Sequence, residues 1–95
     1  MAKLTAAKLR AALADLPGWK AAGGGIRRQF TCASFPAAIA FTTRIAFDAE
    51  AADHHPDILI NYTKVTVTWS THSAGGVTQK DIAAAKATDT VFRAA

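Results

Sequence analysis

Ninety-five residues carry eleven Lys and Arg against seven Asp and Glu, a net charge of +4, and 51% of the chain is apolar, much of it alanine. That length makes one small domain, residues 1–95, which buries only about 60–65% of its unfolded surface, so self-association would add to its core. Three classes are disfavoured. The cations are spread along the chain, with only Arg27 and Arg28 adjacent, where nucleic acid needs a clustered patch. No apolar run approaches a membrane span. The single cysteine, Cys32, excludes an internal disulfide and suits a reducing compartment.

The chain begins Met1-Ala2-Lys3-Leu4 and meets Lys8 and Arg10 without an apolar h-region, so no secretory signal and a cytoplasmic location are expected. Thr5 caps a first helix reaching about Leu16, with Leu9, Ala12, Leu13 and Leu16 on one stripe, and Pro17-Gly18 stops it. Trp19 to Ala22 is a short strand. Gly23-Gly24-Gly25 forms a hairpin turn, lacking the flanking elements of a phosphate-binding loop. Ile26 to Cys32 returns, with Ile26, Arg28, Phe30 and Cys32 on one face and Cys32 read as a small core residue.

Ser34 is an N-cap and Pro36 fits the first turn of a long helix to about Asp53. Its apolar face is expected at Phe35, Ala38, Ile39, Thr42, Ile45, Ala46 and Ala49. Asp57 to Tyr62 and Val65 to His72 are strand runs, the second alternating apolar and polar with many β-branched residues. Folded about Thr63-Lys64, they set Tyr62 against Val65 and His55 against His72. Thr78-x-x-Asp81 is a capping-box pattern with Asp in the acidic position, opening a last helix from about Gln79 to Phe92. The order α-β-β-α-β-β-α with two hairpins predicts an α+β fold, a four-stranded antiparallel sheet with three helices on one face.

All three histidines, His54, His55 and His72, fall between Glu50 and Asp81, and Glu50, Asp53 and Asp57 surround the pair. Imidazoles titrate near neutrality, so such a group can both give and take a proton. The competing chemistry is a three-histidine zinc site with water in the fourth position, which would need a kink at Pro56 to bring neighbouring rings together. For Asp81, helix capping weighs as much as a role in the site. Trp69 and Tyr62 are read as packing residues. No Ser-His-Asp order stands out: Ser70 and Ser73 flank His72, and strand neighbours point apart.

Glu50-x3-His54-His55-Pro56-Asp57, Tyr62-x2-Val65, Thr71-His72, Gly75-Gly76-Val77-Thr78 and Asp81 together resemble the pterin-4a-carbinolamine dehydratases. The likeness spans nearly the whole chain, with Gly18-Trp19, Phe30, Phe35 and Phe41 at the family's early Gly-Trp and aromatic positions. Ile58 stands where some members carry Trp, and Lys80 where some carry Arg.

The resemblance implies dehydration of 4a-hydroxytetrahydropterin to quinonoid dihydropterin, recycling the cofactor of aromatic amino acid hydroxylases. It implies no metal or organic cofactor, and a homodimer or homotetramer. The family's active-site histidines map onto His54, His55 and His72. On that basis His54 and His72 are expected to exchange roles as acid and base while His55 orients the substrate. Glu50, Pro56, Thr71, Ser73, Ala74 and Asp81 are expected to line the pterin pocket. Two alternatives stay open: a cofactor that stabilises a transcription-factor dimer, as animal members do, and a histidine-based metal-binding protein. The alanine-rich last helix is the expected oligomer face.

Overall fold

A computed structural model describes residues 2–94. Along the chain run α1 (Ala6–Ala14), β1 (Lys20–Ala22), β2 (Gly25–Thr31), α2 (Phe35–Ala52), β3 (Asp57–Asn61), β4 (Lys64–Trp69), a 3₁₀ turn (His72–Ala74) and α3 (Gln79–Ala94). The expected order and fold class hold. The strands form one antiparallel sheet in the spatial order β1-β2-β4-β3. Ile26 and Phe30 on β2, and Val65, Val67 and Trp69 on β4, are buried under the helices. The alternate residues Arg27, Gln29 and Leu59 lie on the open face.

The three glycines of the first hairpin serve two purposes. Gly23 and Gly24 have φ of +54° and +80°, as a two-residue hairpin turn with both central residues left-handed requires. Gly25 instead lies against β4, where a Cβ would stand 2.6 Å from the Trp69 carbonyl oxygen. In the core Phe30 touches three other aromatics edge-on or tilted: Phe41 at 5.0 Å, Phe92 at 4.9 Å and Trp19 at 6.0 Å between ring centroids. Asp89 fastens α3 to the first hairpin, accepting from Trp19 Nε1 at 3.0 Å and Arg28 Nη1 at 2.8 Å.

On α2 the buried stripe is Ala38, Phe41, Ile45 and Ala49. Phe35 and Ile39, expected inside, are exposed and share the outer face with Phe47. The sequence offers two apolar stripes on this helix, and the stripe containing Phe41 wins because its ring fills the space beside Phe30 and Phe92.

The second hairpin differs from expectation by two residues. Asn61 pairs with Lys64, Ile60 with Val65 and Asp57 with Thr68, so Tyr62-Thr63 forms the turn and Tyr62 adopts φ +53°. A two-residue shift preserves which side chains face the core, so the burial pattern survives. His72, however, does not lie opposite His55. It sits beyond the end of β4 on the 3₁₀ turn, in a loop closed where Thr71 N–H donates to the Gly76 carbonyl at 2.9 Å.

Candidate active site

Helix α2 ends on Asp53 in the left-handed region, φ 51° and ψ 42°. The His54 N–H then donates back to the Ala49 carbonyl at 3.1 Å, the wrap that closes many helix C-termini. This turn sends the two neighbouring histidines in opposite directions. His54 heads inward, its side chain 13% exposed, and His55 outward, its side chain 57% exposed.

The carboxylate that meets His54 comes from α3. Asp81 Oδ1 lies 2.6 Å from His54 Nε2, and Asp81 is fully buried. Its Oδ2 accepts from the Thr78 N–H at 2.9 Å and the Thr71 hydroxyl at 2.8 Å. Asp81 is thus both the acidic member of the α3 capping box and the anchor of an imidazole. The other face of the arrangement is Trp69, whose indole stacks on the His54 ring at 5.3 Å and 23°. Trp69 Nε1 in turn donates to Thr88 Oγ1 at 3.1 Å. Trp69 packs in the core, as expected, and also supports the histidine.

His54 and Trp69 line a cleft of about 250 Å³ between α2 and α3. Its walls are mostly aliphatic, including Ile45, Ala49 and Ala84, with Asp48 and Lys80 among its polar residues. Alanines on both helices leave the room that larger side chains would fill.

His55 Nε2 lies 2.8 Å from Glu50 Oε1, and with Glu50 and Pro56 it lines a separate concavity beside Phe47. Asp53 serves as the helix cap, and Asp57 lies exposed at the start of β3; neither bonds to a histidine among the described residues. His72 is exposed, with Ser70 Oγ at 3.4 Å. It lines a third concavity, walled by Gly23, Gly24, Gly75 and Gly76. Ser73 is exposed and Ala74 half-buried on the same turn. Thr71 borders the same concavity yet is buried, as is Asp81, and the two bond to each other behind His54. Among the described residues no three His, Cys, Asp or Glu side chains gather so as to hold a metal ion. Burial pushes the Cys32 thiol up from its ordinary pKa, which disfavours the nucleophilic thiolate.

Sequence reasoning missed the Trp69 stack and the Thr71–Thr78 contact. The capping-box spacing was the visible trace of Asp81's position. It located the carboxylate on the helix without revealing its second oxygen's partner.

The pterin 4 alpha carbinolamine dehydratase family model matches residues 2–91. A Roseiflexus sp. (strain RS-1) protein named "Putative pterin-4-alpha-carbinolamine dehydratase" is 49% identical over 90 residues, covering 95% of this chain and 97% of that one. A protein of the same name from Mycobacteroides abscessus is 50% identical over 90 residues, with 95% and 96% covered. Among solved structures, a Brucella melitensis protein described as a transcriptional coactivator/pterin dehydratase superimposes with a TM-score of 0.89 at 36% identity, covering 94% of this chain and 97% of that one. With the α+β fold and the His-His-Pro and Thr-His segments in place, the chain belongs to the pterin 4 alpha carbinolamine dehydratase family.

Proposed function

We propose that the chain dehydrates a 4a-hydroxytetrahydropterin to the quinonoid dihydropterin by histidine acid–base catalysis, recycling the cofactor of aromatic amino acid hydroxylases. The observation that carries this reading is the buried Asp81–His54 pair stacked on Trp69 at the edge of an apolar cleft. Hydroxide leaves poorly, so an acid must protonate the C4a oxygen as the C–O bond breaks. The N5 proton must go to a base as the C=N bond forms, and water is the other product. His54, held in one orientation, is one partner in this exchange; His72, which lines a separate glycine-walled concavity in the chain, is proposed as the other. His55 and Glu50, with Pro56, Ser73 and Ala74, contact the substrate. Thr71 and Asp81 act through His54. The residues require no metal or organic cofactor in these steps.

The test is turnover of chemically generated 4a-carbinolamine above its spontaneous rate. The wild-type chain accelerates the reaction, and His54→Ala and His72→Ala each abolish most of the acceleration while remaining folded. Full activity in both variants would end the acid–base assignment.

We propose that self-association uses α2 in place of the alanine-rich α3, because three of the five exposed large apolar side chains among the described residues, Phe35, Ile39 and Phe47, are on α2. Phe47→Glu is expected to yield a smaller species in sedimentation, whereas a charge at Ala87 on α3 is not. The same α2 face favours a second reading, a coactivator-like interaction such as the Brucella relative's description contains. Capture of a transcription factor by wild type and its loss in Phe47→Glu, without carbinolamine turnover, would favour that reading.

A further inference from the structure

Four polar groups behind His54 form a chain whose direction is fixed by counting protons. The Thr71 hydroxyl has one proton, and it goes to Asp81 Oδ2 at 2.8 Å. The contact of 2.8 Å between the Thr71 and Thr78 hydroxyls must therefore carry Thr78's proton. Thr78 Oγ1 in turn accepts the Lys80 N–H at 3.2 Å. Asp81 Oδ2 also takes the Thr78 N–H at 2.9 Å. With both donors on Oδ2, the remaining oxygen, Oδ1, is left as the acceptor for His54 Nε2 at 2.6 Å. A neutral imidazole has one N–H, and its partners decide which nitrogen carries it. With Asp81 a carboxylate, which can only accept, that nitrogen is Nε2. Nδ1 makes no hydrogen bond among the described residues.

We infer that Thr71 and Thr78 are positioning residues that hold His54 in its Nε2–H tautomer, so that Nδ1 is the nitrogen presented for proton exchange in the α2–α3 cleft. Both residues are buried, Thr71 at 7% exposure and Thr78 fully. The same Thr71 precedes His72 and closes the loop that carries it, its N–H donating to the Gly76 carbonyl at 2.9 Å. The catalytic part of this inference rests on the dehydratase reading. The tautomer does not.

The experiment is a long-range ¹H–¹⁵N correlation of the imidazoles in ¹⁵N-labelled protein, at a pH where the rings are neutral. Exposed His55 and His72 in the same spectrum serve as internal references. Wild-type His54 should show a protonated Nε2 and an unprotonated Nδ1. Thr71→Val should move it toward a tautomer mixture and lower kcat roughly tenfold with KM little changed, the effect of one hydrogen bond to a charged group. Thr71→Ser should restore both. Thr78→Val should shift the ring the same way by less, and it carries the test if Thr71→Val does not fold.

A neutral His54 with its proton on Nδ1 overturns the inference, as does a Thr71→Val spectrum identical to wild type. An Nε2–H ring in a chain without dehydratase turnover would keep the positioning role and end the dehydratase reading. Turnover with an Nδ1–H ring would do the opposite.

Discussion

His54 and His55 are chain neighbours of identical chemistry, yet they occupy opposite environments. His54 is mostly buried, bonded to a fully buried carboxylate and stacked on an indole. His55 is exposed, and its carboxylate partner Glu50 is 80% exposed. The two N···O distances, 2.6 and 2.8 Å, are nearly the same. The difference lies in what surrounds them. A contact between exposed groups competes with water and with the freedom of two side chains. A contact to a buried carboxylate has no such competitor, and breaking it leaves a buried polar atom short of a partner. Proximity to an acid is therefore a poor guide to which histidine is held in one orientation. Burial of the acid is the better one.

The largest expected consequence is in activity. With carbinolamine as substrate, His54→Ala should lower kcat/KM roughly 10²–10⁴-fold, the range for loss of a positioned general acid or base. His55→Ala should change it by less than roughly tenfold, as expected for one exposed polar contact. Equal losses would show that burial does not separate the two rings functionally.

Stability gives the next contrast. Asp81→Ala removes the His54 partner, the acceptor of the Thr71 hydroxyl and one leg of the α3 capping box. It leaves the buried Thr71 hydroxyl and Thr78 N–H without an acceptor, at roughly 1–3 kcal/mol each, and should therefore cost about 2–5 kcal/mol, read as a lower denaturant midpoint at unchanged slope. Glu50→Ala, the matching change at His55, should fall within about 1 kcal/mol of wild type. A Glu50→Ala cost as large as that of Asp81→Ala would mean the exposed pair is tied down in a way its surroundings do not explain.

The sequence announced one side of this comparison better than the other. Strand alternation in Val65–Trp69 and the helix caps at Thr5, Ser34 and Thr78 are local signals, and the elements they predict are present. The faces of the sheet were legible for the same reason, since alternation survives a slip of two residues. The turn was not, because Tyr62 at φ +53° is a choice no turn preference favours. That slip displaced the predicted His55–His72 pairing. On α2, hydropathy could not rank the stripe through Phe41 above the one through Phe35 and Ile39, because the choice depends on Phe30 and Phe92 from distant elements. The partner of His54 was hidden similarly. Glu50, Asp53 and Asp57 are near it in sequence, while Asp81, twenty-seven residues on, is near it in space.

The turn that parts the two histidines supplies the smallest effect. Asp53 holds φ 51° and ψ 42° at the end of α2, where a residue with a Cβ is disfavoured by about 1–2 kcal/mol and glycine is not. Aspartate softens that cost because its short polar side chain can bond locally. Asp53→Gly should therefore leave stability unchanged or raise it by up to about 1 kcal/mol, and Asp53→Ala should lower it by about 1 kcal/mol. Neither touches the Asp81–His54 contact, so turnover should stay near wild type in both. The comparison sharpens if stability moves in these directions while activity does not. If Asp53→Gly instead lowers turnover as His54→Ala does, the direction of His54 is set by the Asp53 side chain, and the backbone wrap onto Ala49 is not what drives the two rings apart.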